Sequence, residues 1–106
     1  MKLSIGDVVK VWTGVCWHYG IFAGEVYGQE RFLHNAKGRG VERTDRVGFA
    51  GAATIQIVER ARPGTGHLVV AGAEKHLGRE YDLGRFNCEH FVCWFRTIAI
   101  APIGRA

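Results

Sequence analysis

Serine is almost missing from this chain: Ser4 is the only one, and it lies near a terminus. That removes the nucleophile of a serine hydrolase. No apolar run approaches the roughly 20 residues a helix needs to cross a bilayer. The opening Met1-Lys2-Leu3-Ser4-Ile5-Gly6-Asp7 lacks the apolar h-region of a secretory signal. The cysteines number three; an odd count does not make a disulfide framework, and a reducing, cytoplasmic setting is expected. Carboxylates form no obvious catalytic pair. With no repeat, linker or low-complexity tract, residues 1–106 are expected to form a single domain around one core.

What is present is a globular balance, 47% hydrophobic against 23% charged residues. The net charge is +4, and arginine supplies ten of the fourteen basic residues. Such a balance suits anionic partners, whether lipid head groups, acidic substrates or nucleic acid, and does not choose among them. Lys37, Arg39, Arg43 and Arg46 form the densest basic stretch, but Glu42 and Asp45 interrupt it. That pattern reads as a solvated loop or strand face. Lys37-Gly38-Arg39-Gly40 is too short, and lacks the third glycine, for a phosphate-binding fingerprint.

The first half of the chain reads as strands. Asp7-Val8-Val9-Lys10-Val11-Trp12 is rich in β-branched and aromatic residues, and Thr13-Gly14 breaks it. Further strands are expected over 17–22, 30–34, 41–44 and 54–58, the last after the glycine- and alanine-rich connection 48–53. The two-residue period of a strand puts His18, Gly20 and Phe22 on one face, and Trp17, Tyr19 and Ile21 on the other. Phe32 and His34 share a face in the same way. The character then changes. Thr65 is a candidate cap for a helix over 66–77, with Val69, Val70, Ala73 and Leu77 inward and Gly78 as terminator. Strands first and helices last predict an α+β fold, an antiparallel sheet of about five strands with C-terminal helices packed on one side.

A last helix is expected after Asn87, whose side chain can accept from the unpaired N–H groups of a helix start. Phe91, Trp94, Phe95 and Ile98 follow at helical spacing. Cys88 shares their inward face and sits in the first turn, where the helix dipole favours an anion and lowers a thiol pKa. The alternative is a buried, inert cysteine, since free cysteine is among the most buried residue types. A thiolate nucleophile needs a proton acceptor that later protonates the leaving group, and histidine suits that task near neutral pH. His90 lies about 200° round the helix from Cys88, and His67 and His76 read as surface residues. His18 and His34 stand inside aromatic-rich strands of the sheet this helix must cover. One such histidine is ordinarily a hydrogen-bonded core residue; two on adjoining strands point to a Cys-His-His site. A metal site from Cys16, His18, His34 and Cys88 lacks the close paired spacing of structural zinc, so neither metal nor cofactor is expected. Cys93, about 140° from Cys88, reads as structural.

Asn87-Cys88-Glu89-His90-Phe91-Val92 resembles the cysteine motif of the lecithin retinol acyltransferase family. His18-Tyr19-Gly20-Ile21-Phe22 is similar to that family's first histidine motif, and Leu33-His34-Asn35 occupies the place of its second. The order His, His, Cys is that of the circularly permuted, papain-like NlpC-type thiol hydrolases, whose fold the resemblance implies. It also implies roles. Cys88 attacks an ester carbonyl and carries the acyl group as a thioester, His18 is the general base, and His34 orients it. The backbone N–H of Cys88 is an oxyanion donor, with Tyr19 and Asn87 adjacent to the site. Trp17 stands where several relatives hold a polar residue, and the apolar tail 98–103 is short and broken by Pro102. The compact length looks like that of bacterial or viral members, so retinoid chemistry is not expected. The expected activity is acyl transfer or hydrolysis on phospholipid-type esters, with peripheral contact to anionic membrane and no nucleic acid partner. The alternatives are a thiol amidase or peptidase, and a non-catalytic interaction module on the same fold.

Overall fold

A computed structural model describes residues 2–14, 17–36 and 40–78. Among them the chain runs β1 (Val8–Trp12), β2 (Trp17–Val26), β3 (Gln29–Ala36), β4 (Gly40–Thr44), α1 (Arg46–Ala50), β5 (Gln56–Glu59) and α2 (Gly66–Glu74). The strands make one antiparallel sheet in the order β4-β3-β2-β1-β5. Four consecutive strands meander, and β5 returns to the far edge of β1. The β2–β3 hairpin turns at Tyr27 and Gly28, both with positive φ, as a two-residue type I′ turn requires. β2 outruns the expected 17–22 because a bulge between Phe22 and Glu25 lets it continue past Gly24, itself at φ +98°.

Strand alternation gives the sheet two apolar faces. Val8, Ile21, Leu33 and Val41 pack under Val69, Val70 and Ala73 of α2. Val9, Val11, Phe22 and Phe32 pack with Phe49 of α1 and with Ile55. Each fully buried side chain of this size is worth about 1.5–3 kcal/mol of transfer free energy, so neither face can be left uncovered. Helices α1 and α2 therefore lie on opposite faces; α2 is the first of the expected C-terminal helices, whereas α1, inside the strand-rich part of the chain, was not expected. The reason is a single residue. Phe49 is the one large aromatic in the stretch read as a glycine- and alanine-rich connection, and it can be buried only on the face that α2 leaves open. Asp45 starts α1 by accepting from Gly48 N at 2.8 Å.

α2 stops at Glu74, three residues short of the expectation, and Leu77 is left 38% exposed beyond it. Gly78 adopts φ +84° and its N–H donates to Val41 O at 2.8 Å, so the chain reverses where the glycine was expected to act. Thr65 occupies the N-cap position without capping: its hydroxyl donates to Arg62 O instead. The helix start is fixed by close backbone contact, since a Cβ on Gly66 would lie 1.9 Å from Ile5 O. Of the basic stretch, Arg43 pairs with Glu74 and Arg46 with Glu30, the latter through a second contact of 2.8 Å. Lys37 and Arg39 lie outside the described residues.

Candidate functional site

Three adjacent strands bring three polar side chains into line on the α1 face. β1 and β2 pair with Val11 opposite His18. β2 and β3 pair with Ile21 opposite Leu33 and Phe22 opposite Phe32; extending that register puts Gly20 across from His34. His18 is then one diagonal step from His34, a spacing that long or aromatic side chains can span. His18 Nε2 lies 2.7 Å from His34 Nδ1. The next pairing, β3 with β4, sets Glu42 directly opposite His34. Glu42 Oε2 is 2.8 Å from His34 Nε2. The result is a continuous hydrogen-bonded row, His18, His34, Glu42.

Phe49 roofs this row. Its ring centroid is 5.3 Å from that of His18 and 5.8 Å from that of His34, and it stacks on Phe32 at 5.0 Å and 12°. Gly20 makes the roof fit. A Cβ there would stand 2.6 Å from Phe49 Cε1, so only a residue without a side chain lets the ring settle onto the sheet.

The enclosure changes the chemistry. His34 is 3% exposed and His18 is half-buried. Burial, and secondly the charge of a protonated His34, push the His18 pKa down from 6.5 to about 4. At neutral pH His18 is therefore an uncharged imidazole, able to accept a proton. A neighbouring anion would raise its basicity, because an opposite charge favours the imidazolium. His18 Nε2 and His34 Nδ1 face each other rather than converging on a common point. Among the described residues no cluster of three His, Cys, Asp or Glu is arranged to hold a metal ion.

Of the residues singled out from the sequence, His18 and His34 are brought into contact. Tyr19 is next to His18 in the chain but belongs to the opposite face, packed against the α2 cluster. His67 is exposed on α2, and His76 lies in the turn after it. Cys88, Asn87, Cys16 and Cys93 lie outside the described residues, and with them the helix expected after Asn87. Glu42 and Phe49 are additions. Glu42 looked like an interruption in a basic stretch, and its partnership with His34 depends on a cross-strand register that composition does not carry. Phe49 was hidden among glycines and alanines; an isolated large aromatic there was the available signal. No helix of the described residues is long and apolar enough to cross a membrane.

The family model for lecithin retinol acyltransferase matches residues 1–99 of the 106. No curated protein matches the chain significantly.

Proposed function

The chain belongs to the lecithin retinol acyltransferase family, and on that premise we propose that it is a cysteine-dependent acyltransferase or hydrolase acting on phospholipid-type esters. Cys88 gives its proton to His18, and the thiolate attacks the ester carbonyl carbon. The tetrahedral oxyanion collapses as the C–O bond breaks, and the leaving alkoxide takes the proton back from His18. The acyl group is now a thioester on Cys88. Water or an acceptor nucleophile then attacks, again giving its proton to His18; the C–S bond breaks and the proton returns to sulfur. His34 holds His18 in orientation throughout.

The observation that carries this reading is the 2.7 Å contact between His18 and His34 inside an apolar enclosure. It supplies a neutral imidazole whose ring is fixed by a second imidazole. Retention of both histidines together with Cys88 argues against a purely non-catalytic module, which would have no use for a buried proton acceptor. The net charge of +4 suits peripheral contact with an anionic lipid surface.

Intact mass spectrometry tests the reading. After incubation with mixed phospholipids the full chain should gain one acyl mass, located on Cys88 and lost in Cys88→Ala. An adduct that forms only from peptide or amide donors would move the assignment to an amidase. No adduct from either class would leave the interaction module.

A further inference from the structure

We propose that Glu42 is a positioning residue that fixes the tautomers of both histidines, so that His18 carries its proton on Nε2 and presents Nδ1 as its basic nitrogen. The proposal deepens the reading above and rests on it only for which group Nδ1 would deprotonate.

The row is polarised from its acidic end. A carboxylate accepts hydrogen bonds and cannot donate them, whereas each nitrogen of a neutral imidazole does one or the other. Glu42 Oε2 lies 2.8 Å from His34 Nε2, so the proton of that bond belongs to Nε2. His34 is 3% exposed and carries a single ring proton in this arrangement; with that proton on Nε2, its Nδ1 is an acceptor. That Nδ1 stands 2.7 Å from His18 Nε2, which must then be the donor. The proton of neutral His18 is thereby placed on Nε2 and the lone pair on Nδ1. The identity of one side chain on β4 determines which atom of a residue two strands away can act as a base.

The same row serves the charged state. When His18 takes a proton at Nδ1 it becomes an imidazolium that still donates from Nε2 to His34. Every dipole in the row then points its negative end toward the new positive charge, and the Glu42 carboxylate closes the far end. No proton moves beyond His18. The β3–β4 register sets His34 and Glu42 directly opposite, so the link depends on strand pairing rather than on a mobile loop.

Nitrogen-15 NMR of the histidine rings reads the tautomers directly. The full chain carrying Cys88→Ala is the parent, which removes proton sharing with that thiol. At neutral pH His18 and His34 should both be protonated on Nε2 and unprotonated on Nδ1. In the same chain with Glu42→Lys, an ammonium that only donates replaces the acceptor, and both rings should invert to Nδ1–H. Glu42 has a side chain 27% exposed, which leaves room for the longer residue. A parent with Nδ1–H on His18, or with His34 protonated on both nitrogens, overturns the proposal whether or not the variant folds. Unchanged tautomers in a folded Glu42→Lys chain overturn it too. A wrong thiol reading would appear instead as an unacylated Cys88 and would leave these spectra as they are.

Discussion

Replacing Gly20 with alanine should destabilise the protein, and the magnitude follows from the roof over the site. The new Cβ would stand 2.6 Å from Phe49 Cε1, 3.0 Å from Cζ and 3.1 Å from Leu33 O. The last of these is strand backbone and cannot retreat. The ring must move, yet it is stacked on Phe32 and held against His18 and His34. Overpacking of this kind costs about 1–3 kcal/mol. For a chain of this size each kcal/mol lowers the melting temperature by roughly 4–8 °C. Thermal unfolding followed by circular dichroism should detect that loss in Gly20→Ala. The decisive comparison is the double-mutant cycle with Phe49→Leu. A smaller, flexible side chain at position 49 removes the clash, so the two substitutions should couple by about 0.5–3 kcal/mol. Strict additivity, or an unchanged melting temperature in Gly20→Ala, would refute the claim that Phe49 sits on Gly20.

The lowered His18 pKa of about 4 has a stability consequence. The unfolded chain binds a proton there below about 6.5 while the native chain does not until about 4, so stability should fall as pH drops through that window; NMR titration giving His18 a value near 6.5 in the folded protein would contradict this. Asp7 is 1% exposed and accepts from Ser4 N at 2.9 Å, Arg60 Nη1 at 2.9 Å and Ala61 N at 3.2 Å. Because Arg60 is half exposed and can rehydrate, Asp7→Ala should cost about 2–3 kcal/mol in chemical denaturation, and a loss below about 0.5 kcal/mol, the level of an ordinary surface substitution, would remove its anchoring role. Binding to anionic vesicles should be measurable at low salt and largely lost at high salt, with none to neutral vesicles; salt-resistant binding would mean that apolar groups insert.

Much of the sheet was legible because a half-buried strand writes a period of two into the sequence. The alternation put His18 on one face of its strand with Gly20 and Phe22, and His34 on one face of the next with Phe32; the strand register makes these the same face and closes the gap to 2.7 Å. Helix α1 was not legible, because five residues carry too little periodicity to stand out. What makes Arg46–Ala50 a helix is tertiary: the burial of Phe49 and the Asp45 cap. The same limit hid Glu42, whose role exists only through pairing across β3 and β4. The extent of α2 was overestimated since Leu77 fitted the apolar stripe, whereas the helix ends at Glu74 and leaves Leu77 38% exposed. The permuted papain-like arrangement and the placing of Cys88 fall outside the described residues and rest on the family resemblance.

The most direct test of the central claim is competitive alkylation of the full chain by limiting iodoacetamide, with the label at Cys16, Cys88 and Cys93 quantified separately. If His18, held by His34, serves Cys88, then Cys88 should label first, and His18→Ala should slow Cys88 while leaving the other two unchanged. Faster labelling of Cys16 or Cys93, or a Cys88 rate indifferent to His18→Ala, would contradict the account.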